Sequence, residues 1–257
     1  MSRELFDQAS QNLHLLWGEG HEFESRLPAH SDQAAREPMR QIVDLGVTGS
    51  IPVARPTKAA ADRSSLFDRQ GRRLYLTAEE RKAFLDAAEK AERRTRTLCF
   101  CLAYTGCRIS EALELTADRV DLEARVIVFE SLKKRRRGVY RAVPVPPAVL
   151  DALDLVHGLR EAQKGKDGGR GRRLWSWARS TAWLRVQGVI QAAGIKDGPH
   201  ASPKGMRHGF GVAAIQAGIP LNMLQKWLGH AQLSTTAIYA NAVGAEEQSI
   251  AARMWTS

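Results

Sequence analysis

The stretch Arg94–Glu111, RTRTLCFCLAYTGCRISE, decides how this chain is read. Its apolar residues are dense from Leu98 to Tyr104, so Arg94–Thr105 is expected to be a buried helix. Gly106 is a natural stop, because glycine takes the left-handed conformation that ends helices at low cost. Arg108–Leu115 then reads as a short second helix. An arginine at a helix start after a glycine turn is well placed to face an anion. Glu111, three residues on, is in reach of its guanidinium. Alone this is a weak signal, since most Arg/Glu pairs at helical spacing are solvated surface pairs.

Outward from this stretch the pattern stays regular. Thr77 followed by Glu80 is a capping-box pattern, opening a helix with Phe84, Leu85 and Ala88 on one face. Arg125–Phe129 is a β-branched and aromatic run that reads as a strand, with Val139–Val145 as its antiparallel partner and Lys133–Gly138 as the turn between them. Pro146 and Pro147 start a helix running to about Leu159. Lys164–Arg173 is a Gly-rich basic loop. Helices are expected at Thr181–Ala193, Pro203–Ala217, Pro220–Leu228, Ser234–Asn241 and Ala245–Trp255. The fold class is therefore α+β, mainly α-helical, with a small antiparallel hairpin or sheet.

Residues 71–257 are expected to form one domain that ends in a tail helix, 244–257. Residues 1–70 read differently. After one helix over Met1–Trp17, the pattern is broken by Gly18, Gly20, Pro28, Pro38, Gly46, Gly49, Pro52 and Pro56. This region is expected to be poorly ordered or truncated.

Composition narrows the class of function. Hydrophobic residues make up 44% and charged residues 26% of the 257, an ordinary soluble balance, but the formal net charge is +10. Such an excess favours partners with dense negative charge, nucleic acid first and anionic membrane second. Cys99, Cys101 and Cys107 cluster in one apolar stretch and read as small buried hydrophobes, not a disulfide framework. No His or Cys pair has zinc-finger spacing, so neither a metal nor a cofactor is expected. No run approaches a membrane span and no secretory signal is visible, so the protein is expected in the cytoplasm.

Three further clusters carry chemistry. Six of the nine residues from Lys133 to Arg141 are basic (Lys133, Lys134, Arg135, Arg136, Arg137 and Arg141), a hairpin tip shaped to track phosphates or enter a groove. Arg172 and Arg173 add charge in the Gly-rich loop. In Ser202–His208, SPKGMRH, Pro203 as first helical residue puts Lys204 and Arg207 one turn apart, a pair that a phosphate between them would satisfy. Leu228-Gly229-His230 is followed nine residues later by Tyr239. A lone His or Tyr in such a place is usually structural. Together, these residues supply what metal-free phosphoryl transfer needs: cations for non-bridging oxygens, a proton donor and a nucleophile.

The set resembles the tyrosine recombinases of the phage integrase family. That family shows T-G-x-R-x-S-E, a hairpin lysine, [H/K]-x-x-R-H, and L-G-H followed nine residues on by tyrosine. Arg108, Lys133, Lys204, Arg207, His230 and Tyr239 fall on those positions, within about Leu74 to Trp255. The resemblance implies that Tyr239 attacks a scissile phosphate of double-stranded DNA, leaving a 3′-phosphotyrosyl link. Arg108 and Arg207 would hold its oxygens, His230 would donate to it, and Lys133 would protonate the leaving 5′-oxygen. Lys134 is the second choice for that lysine, and Glu111 and His208 would support the site. The resemblance also implies four protomers on two sites, with the tail after Tyr239 docking on a neighbour. Two departures matter. Lys204 stands where histidine is usual; it would need a strongly lowered pKa to act as base, and an electrostatic clamp is the other reading. Residues 1–70 show no clear core-binding domain. A non-catalytic helix-turn-helix protein, with the turn at Ala217-Gly218-Ile219, and a type IB topoisomerase-like nicking enzyme are the alternatives.

Overall fold

A computed structural model describes residues 65–131, 138–241 and Ala252. The expected helix at Met1–Trp17, the basic tip Lys133–Arg137 and the tail helix lie outside the described residues, Ala252 apart. The packed unit reaches back to Leu66, which is buried, and Phe67 bridges to Arg73.

The first helix, α1 (Ala78–Glu89), begins as the sequence dictates: Thr77 accepts from the Glu80 backbone while Glu80 reaches back to the Thr77 N–H. The second, α2 (Arg93–Thr105), is capped by the Glu92 carboxylate and ended by Gly106 at φ 59°. It is the axis of the domain, buried continuously from Thr97 to Thr105 and packed against five other helices. A helix apolar on nearly all sides has to be enclosed in this way. Each large side chain buried here contributes about 1.5–3 kcal/mol.

Arg108 then caps a short helix, α3 (Ile109–Leu113), and a 3-10 turn at Ala117–Arg119 leads into a sheet. Its strands are β1 (Val120–Asp121), β2 (Val126–Glu130) and β3 (Tyr140–Pro144), all antiparallel in that order. The short β1 lay outside the sequence expectation. In β2 and β3 the inward pairs are Ile127 with Val143 and Phe129 with Arg141.

Next come α4 (Pro147–His157), α5 (Leu159–Lys164) and α6 (Arg179–Ala192). A single helix was expected to run to Leu159, but Gly158 adopts φ 61° and splits it. Three further helices follow among the described residues: α7 (Pro203–Gln216), α8 (Leu221–Leu228) and α9 (Ser234–Ala237), the last continuing as a 3-10 turn through Asn241. A second apolar cluster, including Leu66, Tyr75, Phe210, Leu224, Leu228 and Tyr239, joins α7 to the chain's last described segment. Cys99, Cys101 and Cys107 are buried and free. Among the described residues, no helix is long and apolar enough to cross a membrane.

Candidate active site

The site forms where three chain turns meet: the end of α2, the first half of α7, and the link from α8 to Tyr239. Glu111 is its electrostatic hub. Its side chain is 0% exposed, and Oε1 accepts from Arg108 Nη1 at 2.8 Å. Oε2 accepts from the Arg108 backbone N–H at 2.9 Å and from Arg141 Nη2 at 2.6 Å. Burial alone pushes the Glu111 carboxyl up, but Arg141 and Arg108 outweigh it and hold it below the usual range. The acid is therefore ionised and fixes two cations.

Arg141 was expected on the DNA-facing surface; it is instead 7% exposed and points inward, donating through Nε to the Trp227 carbonyl at 2.7 Å. The reason is strand parity. Alternate residues of β3 face the core, and Arg141 shares its face with Val143. Its place in a basic run masked that alternation. Arg141 acts here as a positioning residue for Glu111.

Arg207, also 7% exposed, spans two helix ends: Nη1 donates to the Gly106 carbonyl and Nη2 to the Leu228 carbonyl, both at 2.7 Å. A cation belongs there, because unpaired carbonyls at helix C-termini carry partial negative charge. Burial, then Arg108, lowers its pKa to about 10, so it stays protonated at neutral pH. Arg108 is the more open cation, with 24% of its side chain exposed.

Tyr239 is fully buried at 0% exposure. Its hydroxyl lies 3.2 Å from His208 Nδ1, and its ring runs parallel to that of His230 at 6.4 Å between centroids. Burial raises the phenol's pKa, and Arg207 and Arg108 pull the other way without cancelling it. The ring lies on Gly211, where a Cβ would stand 2.5 Å from Tyr239 Cε1. Only glycine leaves room for it. His230 follows the left-handed cap Gly229, and its Nδ1 lies 2.9 Å from Thr236 Oγ1. Thr236 was missed from the sequence, where nothing sets it apart from Ser234 and Thr235. Both histidines are held neutral: His230 is lowered to about 3 by burial and then Arg207, and His208 to about 4 by burial and then Lys204.

The structure thus brings together Arg108, Glu111, Arg207, His208, His230 and Tyr239. Lys204 sits exposed in the first turn of α7, one turn from His208, and makes no contact with the Tyr239 hydroxyl. The group that does is His208. Lys133, Lys134, Arg135, Arg136 and Arg137 lie outside the described residues. Arg172 and Arg173 are exposed and stand apart from this cluster.

The model of the phage integrase family matches residues 74–245, and the chain belongs to that family. It is 34% identical over 190 residues to tyrosine recombinase XerD of Mycobacterium leprae, covering 66% of this chain and 57% of that protein. It is 31% identical to tyrosine recombinase XerA of Thermococcus kodakarensis, over 64% of this chain and 56% of that one. The chain thus spans only about half the length of the curated relatives it matches. Among solved structures, XerA recombinase aligns with a TM-score of 0.59 at 25% identity, over 71% of this chain and 65% of that one. XerH in a post-cleavage complex with palindromic difH substrate aligns with a TM-score of 0.56 at 25% identity, over 76% and 57%.

Proposed function

We propose that this chain is a site-specific DNA recombinase that cuts and rejoins double-stranded DNA through Tyr239. The observation that carries the reading is the convergence of Arg108, Arg207, His208, His230 and Tyr239 on one point, with Glu111 fixing the cations. A pentacoordinate phosphorus needs donors aimed at its non-bridging oxygens before the reaction starts. Arg108, the open cation, would engage them first, with Arg207 behind it. In the tautomer where Thr236 donates to Nδ1, His230 carries its proton on Nε2 and can donate a third bond.

In the chemical step the Tyr239 oxygen bonds to phosphorus and the bond to the 5′-oxygen breaks. The phenolic proton passes to neutral His208, whose Nδ1 already faces the hydroxyl. Lys133 gives a proton to the departing 5′-oxygen. Attack by a 5′-hydroxyl from another strand reverses the step and releases Tyr239, with the bond energy conserved in the phosphotyrosyl link. Because Tyr239 is fully buried, its ring swings off Gly211 before attack. Lys204 serves as an electrostatic clamp. Lys134 to Arg137 follow the DNA backbone. Four copies assemble on two DNA sites in the cytoplasm, each lending its tail, whose sequence supplies Ile250, Met254 and Trp255 as apolar residues, to a neighbour. XerH bound to difH is a structural neighbour consistent with a duplex substrate.

The test uses a pool of nicked suicide duplexes randomised around the nick. The expected result is a covalent protein–DNA adduct on a denaturing gel, absent in Tyr239→Phe. Retarded but never covalent complexes would favour the non-catalytic helix-turn-helix reading. Relaxation of supercoiled plasmid without strand exchange would favour the topoisomerase-like one.

A further inference from the structure

The opposite end of α2 holds a second group of arginines. A cavity of about 430 Å³ is bordered by Arg94, His157, Gly158, Arg172, Arg173 and Leu174. This volume is in the range of small-ligand sites, roughly 300–1,000 Å³. Arg94 and the Arg108 turn are separated by the length of α2, whose 13 residues at about 1.5 Å each place the two ends about 20 Å apart. The cavity is therefore distinct from the Tyr239 centre.

We propose that this cavity is an anion site that takes a phosphate group between Arg94, Arg172 and Arg173. Arg94 Nη2 donates to the Leu174 carbonyl at 3.0 Å, and Arg172 Nη2 donates to the His157 carbonyl at 3.1 Å. A guanidinium has five N–H donors, so each keeps most of its capacity. Among the described residues, neither has a carboxylate partner; the one acid paired in this group is Glu114, on Arg173. The nearby Glu92 carboxylate is committed to the α2 cap, accepting from the Arg94 and Thr95 backbone and the Thr95 hydroxyl.

The cations are also held in place. Sequence suggested a Gly-rich loop over 164–173, but its end is stitched to the chain beside α3. The Ala117 N–H donates to the Arg172 carbonyl at 3.1 Å, and the Leu174 N–H donates to the Leu115 carbonyl at 3.0 Å. The back wall is rigid, with Trp175 fully buried and its indole N–H donating to the Arg94 carbonyl at 2.9 Å. His157 packs edge-on against Trp175, with Nε2 3.0 Å from Thr97 Oγ1. Burial, then Arg94 and Arg172, lower its pKa to about 4, with Glu92 opposing them. Arg94 and Arg172, held in place without a carboxylate partner among the described residues, are suited to take an anion, with Arg173 shared between it and Glu114. The phosphate could belong to the DNA backbone or to a free phosphorylated molecule; the cavity's chemistry is the same for both.

The test is NMR on the full chain at pH 7, following the His157 ring and the Trp175 and Trp177 indole protons. Inorganic phosphate and a short duplex are titrated separately. A saturable shift is expected, weakened by about tenfold or more in Arg172→Gln, as for loss of a charge-assisted hydrogen bond. Arg94→Gln is the second variant, with its melting temperature measured alongside to confirm folding. The shift should persist in Arg108→Gln, which keeps this site distinguishable from the Tyr239 centre. A response to duplex, with the salt slope of DNA affinity falling by about 1 in Arg172→Gln, assigns the phosphate to the DNA backbone. A response to phosphate alone assigns it to a free ligand. No saturable shift with either probe, or one unchanged in both cavity variants, overturns the proposal.

Discussion

At the Arg108 end of α2, guanidinium groups are tied to protein oxygens: Arg108 and Arg141 share Glu111, and Arg207 joins two helix-end carbonyls. At the Arg94 end, Arg94 and Arg172 donate to carbonyls, the Arg94 guanidinium also lies over the Trp177 ring, and the paired acid is on the exposed Arg173–Glu114 pair. The difference is in what each arrangement costs and prepares. A buried carboxylate between two cations offsets their desolvation and holds them at a set spacing before substrate arrives, as transition-state stabilisation requires. Cations on carbonyls alone are positioned but not neutralised, and their charge is left for a ligand.

Removing the hub should do most damage. Glu111→Ala leaves Arg141 buried without its acid, and a loss of about 3–5 kcal/mol is expected in urea unfolding, together with loss of DNA cleavage. Glu111→Gln should fall between it and the parent. A loss under about 1 kcal/mol in the alanine variant would break the contrast, because it would mean that Glu111 offsets little. Acid should act next. His230 is lowered to about 3 and His208 and His157 to about 4, from an ordinary value of 6.5. Each binds its proton more weakly folded than unfolded, so their contribution is complete above pH 6.5 and declines through about 4. Glu111 works in the same direction lower down, since its depressed carboxyl stabilises the fold until it is protonated. Melting temperature should therefore fall steadily below pH 6.5. His157→Gln should flatten the part that belongs to the Arg94 end.

Gly211→Ala is expected to cost about 1–3 kcal/mol by overpacking, because the new Cβ would meet the Tyr239 ring. Increased Tyr239 fluorescence quenching by iodide would show the ring displaced outward; a variant as stable as the parent with an equally shielded Tyr239 would contradict the packing described. The smallest effect belongs to Arg172→Gln, within about 0.5 kcal/mol in stability, as for an exposed side chain. A much larger loss would make Arg172 a structural member of its loop and erase the distinction between the two ends.

Most of the helical frame was legible because its signals are local. The Thr77 cap, the Gly106 stop, Pro147 and Pro203 at first turns, and the apolar length of α2 all act within a few residues. That Tyr239, Arg108 and Arg207 come together could be anticipated because their type, order and spacing repeat a family pattern. What escaped depends on the third dimension. Arg141 turned inward because alternation in β3 outranked the charge of its neighbours. Gly158 broke a helix that its apolar neighbours suggested would continue. That His208, not Lys204, meets the Tyr239 hydroxyl follows from the rotation of α7 against the last turn, which Gly211 permits. Arg94 lies 78 positions before Arg172 in the chain, and nothing local announces that they share a cavity.

The proposed chemistry requires that Tyr239 form the covalent link. The direct measurement is mass spectrometry of the adduct formed on a nicked suicide duplex, after protease digestion. A single modified peptide carrying a 3′-phosphonucleotide on Tyr239 is expected, and none from Tyr239→Phe. A nucleotide on any other residue, or an adduct that survives Tyr239→Phe, would contradict it.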